Sequence, residues 1–326
     1  MTIPFRRDLE VTYGRVDQVS PLIRRVVANN PSRFTFKGTG TYLVGHGDVA
    51  VIDPGPADDA HAAAILAALQ PGERISHLVI THTHSDHSPG ARALRALGVD
   101  APIVGCGPHG LVADDDPDDK IVFGVPEADN PDDDKADGAK PVSDTLREGA
   151  DTDHQPDVPM AHGDVVCGAG WRLTAVHTPG HTSNHLCFAL DAEGVLFTGD
   201  HVMGWSTSVI GPPDGNLNQY LASLRLLLKR RDRRYWPTHG PAIDEPHTLV
   251  SAFLAHRNER TAQLLDALRA GPASLPQIVP SLYADVDKKL WKPAVASMYA
   301  HALALLEAGQ IRCDGTAKRT SVYELA

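Results

Sequence analysis

The spacing of apolar positions divides the chain into a strand-and-helix stretch, a polar interruption, a second strand-rich stretch and a helical tail. Residues 41–45 (TYLVG) and 49–53 (VAVID) are short β-rich runs joined by the turn residues Gly45 to Asp48. The segment DDAHAAAILAALQ, closed by Pro71-Gly72, predicts a helix with both ends signalled. ISHLVI predicts a buried strand that runs into the polar cluster THTH, followed by a small helix, PGARALRALG, and the strand APIVGC. From about residue 112 to 160 the periodicity collapses. DDDPDDK, ADNPDDDKADGAKP and DTDHQPDVP are rich in Asp and Pro and read as an inserted acidic surface excursion, with a lid or partner surface as the functional alternative. Order resumes at GDVVCGAGWRLTAVHTPGHTSNHLCFAL, which alternates like antiparallel strands, then the buried strand VLFTGD. NLNQYLASLRLLLKRR is an amphipathic helix, and RRYWPTHG a last strand leading into a His-bearing turn.

After Pro246 the pattern changes again. Three helical segments, at residues 247–271, 274–283 and 292–309, precede QIRCDGTAKRTSVYEL, a short ribbon with Gly315 at its turn. That order is a winged-helix pattern. The expected division is a catalytic domain over residues 1–245 and a winged-helix domain over residues 246–326, with no internal repeat.

Composition narrows the function classes. The four cysteines are scattered without a C-x-x-C pair, which suits a reducing compartment and argues against a cysteine-rich zinc site. No run reaches the ~20 apolar residues of a membrane span, and the N-terminus lacks an apolar leader core, so a cytoplasmic protein is expected. The net charge of −11 is unevenly placed: residues 113–157 hold roughly 16 acidic against 4 basic side chains, leaving the remainder near neutral. From His256 onward there are roughly 9 basic against 7 acidic residues, so the basic face of a nucleic-acid binder is missing.

The chemistry concentrates in Thr81-His82-Thr83-His84-Ser85-Asp86-His87. His82 and His84 are two apart, so both imidazoles can leave one side of a strand end, and Asp86 and His87 follow in the turn. Imidazole and carboxylate are the ligands that zinc and related divalent ions prefer. Three further candidates stand at strand ends: His181 in TPGH, Asp200 in TGD and His239 in THGP. Each alone is only a polar turn residue; together with H-x-H-x-D-H they form a set.

H-x-H-x-D-H, TPGH, TGD and THGP in that order resemble the metallo-β-lactamase superfamily, especially glyoxalase II-like hydrolases, over roughly residues 20–245. The resemblance implies an αββα sandwich with two divalent ions, zinc first and iron or manganese as alternatives. His82, His84 and His181 would hold one ion; Asp86, His87 and His239 the other; and Asp200 would bridge them. It also implies a hydroxide shared by the two ions as nucleophile, with Asp86 as the catalytic residue that orients it. The β-lactamases proper usually lack one or more of these ligands, which disfavours antibiotic hydrolysis.

The C-terminal pattern, with IRRVVANNPSRFTFKGTGTYLVG and GDHVMGWSTSVIGPPDG, is similar to the β-lactamase-like protein 2 family, which has ribonuclease-type and thioesterase-type members. The acidic insertion departs from that family's compact members and weighs against a polyanion. The expected activity is therefore hydrolysis of an ester-like acyl bond, a thioester or related group of a small molecule. A metal-dependent endoribonuclease on single-stranded RNA is the alternative; a membrane partner is not expected, and an oligomer is open.

Smaller expectations attach to other residues. His185 is a candidate substrate-facing group or a support behind a ligand, and Tyr220 and the segment Trp205-Ser206-Thr207-Ser208, Ser206 foremost, are candidate pocket residues. Asp53, before Pro54-Gly55, reads as an orienter of the histidines. His77, His109, His177 and His201 read as supporting or surface histidines. The helix from Lys292 to Leu306, the recognition helix of a DNA-binding winged helix, is almost without basic residues, so packing or dimerisation is its plainer role. Lys288, Lys289, Lys292, Lys318 and Arg319 are the cations available to an anionic group.

Overall fold

The computed structural model describes residues 3–110, 149–284, 288 and 291–326. The core of the acidic insertion and Lys289 lie outside the described residues.

The first sheet has seven strands in chain order: β1 (Val16–Ser20), β2 (Ile23–Val27), β3 (Gly40–Val44), β4 (Asp48–Ile52), β5 (Arg74–Ile80), β6 (Ile103–Gly105) and β7 (Val158–Pro159). β1 to β4 are antiparallel neighbours, whereas β4 to β7 run parallel. The β4–β5 and β5–β6 pairs need crossovers, which α1 (Asp59–Ala67) and α2 (Pro89–Ala96) provide. Asp58 begins α1 by accepting the His61 N–H at 2.8 Å, and proline opens α2 where its missing N–H costs nothing.

The second sheet contains β8 (Val165–Gly168), β9 (Trp171–His177), β10 (Leu186–Leu190), β11 (Val195–Gly199) and β12 (Arg234–Pro237), ordered β12-β11-β10-β9-β8. β11 and β12 are parallel, and α3 (Leu217–Leu227) makes their crossover.

The two sheets face each other. Tyr42, Val44, Ala50, Ile52 and Val79 meet Leu173, Ala175, Phe188, Phe197 and Trp236 in one buried cluster. Successive residues on a strand point to opposite faces, so Val49 and Val51 of β4 turn outward onto Ile65 and Leu94 of α1 and α2. On the other side, Cys187, Ala189 and Leu196 pack under α3 and the start of α4 (Pro246–Arg269). The layers therefore run helix, sheet, sheet, helix, the architecture the resemblance implied.

α4 also joins a further core. Its far half, Leu264 and Leu268, packs with α5 (Leu275–Leu282), α6 (Trp291–Glu307) and a small sheet ordered β13-β15-β14, made of β13 (Ala273–Ser274), β14 (Ile311–Cys313) and β15 (Val322–Leu325). α4 begins just after the boundary expected at residue 245, and its first half packs Leu249, Val250 and Phe253 into the fourth layer. No described helix is long and apolar enough to cross a membrane.

The end of the stretch expected to be an excursion is instead built into the fold. Ala150 bridges His84, Gly149 O accepts from Ser85 N at 2.7 Å, and Asp151 N donates to Thr83 O at 2.8 Å. Met160 is buried between the sheets. Asp151 accepts both guanidinium nitrogens of Arg92 at 2.9 Å and the Ser88 hydroxyl at 2.5 Å. Burial raises the Asp151 carboxyl, but Arg92 and Ser88 outweigh it and hold it below the ordinary carboxylate range. A depressed carboxylate stabilises the fold above its unfolded pKa of about 4, and the gain is lost as pH falls through the lower folded value. Asp151→Asn should therefore cost about 2 kcal/mol at neutral pH and little in strong acid, as urea melts at pH 7 and pH 3 would show.

Candidate metal centre

Four strands end at one edge of the sandwich, and each delivers polar side chains there. β5 leads into His82, His84, Asp86 and His87; β9 into His181; β11 into Asp200; and β12 into His239. The structure brings all seven expected ligands together. Three groups have ligand atoms within 4.8 Å of one another: His82, His84 and His181; His82, His87 and Asp200; and Asp86, His87 and His239.

The spacing sets ring nitrogens and carboxylate oxygens against one another. His84 Nδ1 lies 3.0 Å from His82 Nε2 and 3.1 Å from His181 Nε2. The Asp200 Oδ2 atom lies 3.6 Å from His87 Nε2, 3.9 Å from His181 Nε2 and 3.4 Å from His239 Nε2, so it faces histidines of both outer groups. Asp86 Oδ2 is 3.1 Å from His239 Nε2 and 3.4 Å from His87 Nε2. Inside the cluster, His87 Nε2 and Asp200 Oδ1 are buried without a hydrogen-bond partner. Buried polar atoms are rarely left so, and a shared cation would satisfy them. By donor chemistry and by these orphaned atoms, the residues fit divalent metal.

The ring nitrogens facing away are anchored. His87 Nδ1 meets Asp53 Oδ2 at 3.0 Å, His181 Nδ1 meets Val209 O at 2.6 Å, and His239 Nδ1 meets Gly38 O at 3.2 Å. Each acceptor keeps the proton on Nδ1 and the Nε2 lone pair inward. Asp53 does more. It takes the Thr81 N–H and the Thr81 and Thr238 hydroxyls, each at 2.8 Å, at a backbone φ of 47°. Thr81 Oγ1, its own proton given to Asp53, is left to accept from His82 Nδ1 at 3.1 Å. Gly199 is required beside it, because at φ 51° an added Cβ would stand 2.6 Å from His185 Nε2 and 2.8 Å from Thr81 Oγ1.

Without an ion the cluster divides its protons unequally. Burial, then neighbouring imidazoles, pushes His82 and His84 well below the usual histidine range. Burial also acts on His87 and His239, but the carboxylates of Asp86 and Asp200 overcome it; His87 is pushed well up and His239 to about 10. Burial likewise opposes ionisation of Asp86 and Asp200, yet His87 and His239 hold both well below the carboxylate range. A cation entering must displace those imidazolium protons.

Tyr220, an expected pocket residue, lies elsewhere, and His185 takes the supporting one of its two expected roles. His185 is fully buried; its Nε2 accepts the Asp200 N–H at 3.2 Å, leaving Nδ1 to face Thr178 Oγ1 at 2.9 Å. It stands behind Asp200, away from a substrate. Tyr220 is also fully buried, its hydroxyl donating to His201 O at 3.0 Å. Ser206 is half-buried, its hydroxyl 3.3 Å from Thr207 O. Of the supporting histidines, His109 reaches Thr83 Oγ1 at 3.0 Å, His177 meets Ser183 O at 3.2 Å, His77 packs edge-on against Trp171, and His201 is buried among His185 and Tyr220. Thr81, Thr178, Thr238 and Ser208 carry support roles that sequence reasoning did not assign. Thr81 and Thr178 were legible as neighbours of ligand motifs; the carbonyls of Gly38 and Val209 have no sequence signal.

Residues 35–239 match the family described as Metallo-beta-lactamase superfamily. A "Beta-lactamase-like protein 2 homolog" of Drosophila melanogaster is 29% identical over 93% of this chain and 94% of its own length. An "Atrochrysone carboxyl ACP thioesterase" of Paecilomyces divaricatus is 32% identical over 78% of this chain and 66% of that protein. Among solved structures, a beta-lactamase domain protein from Burkholderia ambifaria superposes with a TM-score of 0.73 at 20% identity, covering 99% of both chains.

Proposed function

We propose that this chain, which belongs to the metallo-beta-lactamase superfamily and is a metal-dependent hydrolase, holds two divalent ions and cleaves a thioester or related acyl bond of a small molecule. His82, His84 and His181 would take one ion, Asp86, His87 and His239 the other, and Asp200 both; zinc suits this donor set, as do iron and manganese. When bound, such ions supply a water of lowered pKa and Lewis-acid polarisation of the scissile carbonyl.

The chain's own residues do the rest. Asp86 is 18% exposed at its side chain against 2% for Asp200, so Asp86 is the carboxylate that a substrate and its water can reach. Thr39 donates to its Oδ2 at 3.4 Å and His239 lies on the same oxygen, which fixes the carboxylate for holding and passing a proton. Burial of the surrounding histidines keeps the dielectric low, where charge developing in the transition state is felt most.

The observation that carries the acyl reading is the likeness to ACP thioesterases at 30% and 32% identity. The near balance of charge from His256 onward, roughly 9 basic against 7 acidic residues, supports it. Of the C-terminal cations, Lys288 lies over Trp291, and Arg319 is 7% exposed and packs over Tyr299, so Arg319 offers no open charge for a phosphate backbone. We read residues 246–326 as a winged helix that packs rather than binds nucleic acid, because α6 buries Ala294, Met298, Ala302 and Leu305. The four unpaired cysteines agree with a cytoplasmic setting. Zinc-loaded protein is expected to release thiol from an acyl-thioester panel, with no release by Asp86→Ala/His87→Ala run alongside. Cleavage of labelled single-stranded RNA without thiol release would replace the acyl reading by the nuclease one.

A further inference from the structure

Arg257, in the middle of α4, is 6% exposed, and its Nε is buried without a hydrogen-bond partner. Its Nη2 donates to Ser208 O at 2.6 Å, and its charged carbon lies 5.7 Å from the centre of the Tyr220 ring. Neither neighbour is a carboxylate. A cation buried against a carbonyl and a ring is costly for the fold, so stability alone gives a poor reason for it.

The carbonyl it holds belongs to the loop that follows Asp200. Ser208 Oγ lies 2.6 Å from Asp200 O and 2.7 Å from His201 O, within donating distance of both. The next residue, Val209, supplies the carbonyl that anchors His181 Nδ1 at 2.6 Å. One guanidinium from the C-terminal helices therefore pins the loop that sets the backbone of one expected ligand and the ring orientation of another.

We propose that Arg257 is a positioning residue for the metal centre, acting through Ser208 and Val209 on Asp200 and His181. The C-terminal unit is then part of how the site is built. This rests on the metal reading given above.

The test uses the full chain as wild type, Arg257→Gln, Arg257→Lys and Asn218→Ala. Asn218 makes another contact with the C-terminal helices, to Glu307 at 2.7 Å, without touching the loop. Zinc affinity is measured by chelator competition, and geometry by the visible spectrum of the cobalt(II)-loaded protein. Arg257→Gln should weaken zinc binding about 10–100-fold and alter the cobalt spectrum, the range for groups that support ligands. Arg257→Lys, which keeps a donor, should recover part of the loss, and Asn218→Ala should match wild type. Should Arg257→Gln fail to fold, Ser208→Ala reads the same loop and should also weaken zinc. Folded Arg257→Gln, or Ser208→Ala in its place, with wild-type zinc affinity and cobalt spectrum would overturn the proposal alone. Wild type that binds neither zinc nor cobalt would overturn the metal reading and this proposal with it.

Discussion

Asp200→Asn is expected to reduce hydrolysis by about 10³-fold or more and to lower the number of tightly held ions. Asp200 is the carboxylate whose oxygen faces His87, His181 and His239 at 3.6, 3.9 and 3.4 Å. The amide keeps the size of the side chain and removes its charge, so packing is preserved while the two ions proposed above would lose the anion between them. The backbone anchors are untouched, since the His185 ring and Ser208 hydroxyl contact the Asp200 main chain. Metal analysis of the dialysed variant beside its turnover checks both parts. Full activity with a full complement of zinc would refute the bridging role.

The second large effect is expected at Asp53, which would touch no ion. Asp53→Asn should weaken zinc about 10–100-fold and lower the unfolding free energy by about 3–5 kcal/mol. Asparagine tolerates the positive φ of 47° at this position, so the substitution isolates the carboxylate from backbone strain. The amide nitrogen must then face donors, because Thr81, Thr238 and His87 all point protons at the carboxyl group. The His87 and His82 tautomers lose their anchor together, one directly and one through Thr81. Zinc competition and a urea melt of the ion-free protein separate the two losses; an unchanged zinc affinity would show that these histidines are oriented some other way.

The clustering of the seven expected ligands was legible because each follows an apolar strand in a short polar motif, so the local letters carry both the strand end and the chemistry. The sandwich was legible for the same reason. What could not be read depends on partners far along the chain. IRRVV, now β2, is fully buried although it contains two arginines, because Arg24 finds Glu73 at 2.7 Å and the Ala68 carbonyl at 2.8 Å. DTDHQPDVP looked like solvated chain, yet Asp151 is claimed by Arg92 and Ser88, and Asp157 accepts the Ile103 N–H at 2.7 Å. His185 and Tyr220 have the chemistry of substrate contacts but point under the site, and only tertiary burial separates those roles. The Arg257 link joins residues 49 positions apart through a main-chain oxygen, which leaves no mark in the side-chain letters.

The expected ligands come from both sheets: β5 of the first, and β9, β11 and β12 of the second. An ion held among them would add a cross-brace to two layers already joined by apolar contact and by hydrogen bonds such as Tyr42 Oη to Pro237 O at 2.6 Å and Thr238 Oγ1 to Asp53 Oδ2 at 2.8 Å. Binding to the folded chain alone adds about 2.7 kcal/mol when free metal stands at 100 times its dissociation constant. The stability of the sandwich would then rise and fall with metal supply, and a chain without its ions would be the easier one for a protease to open.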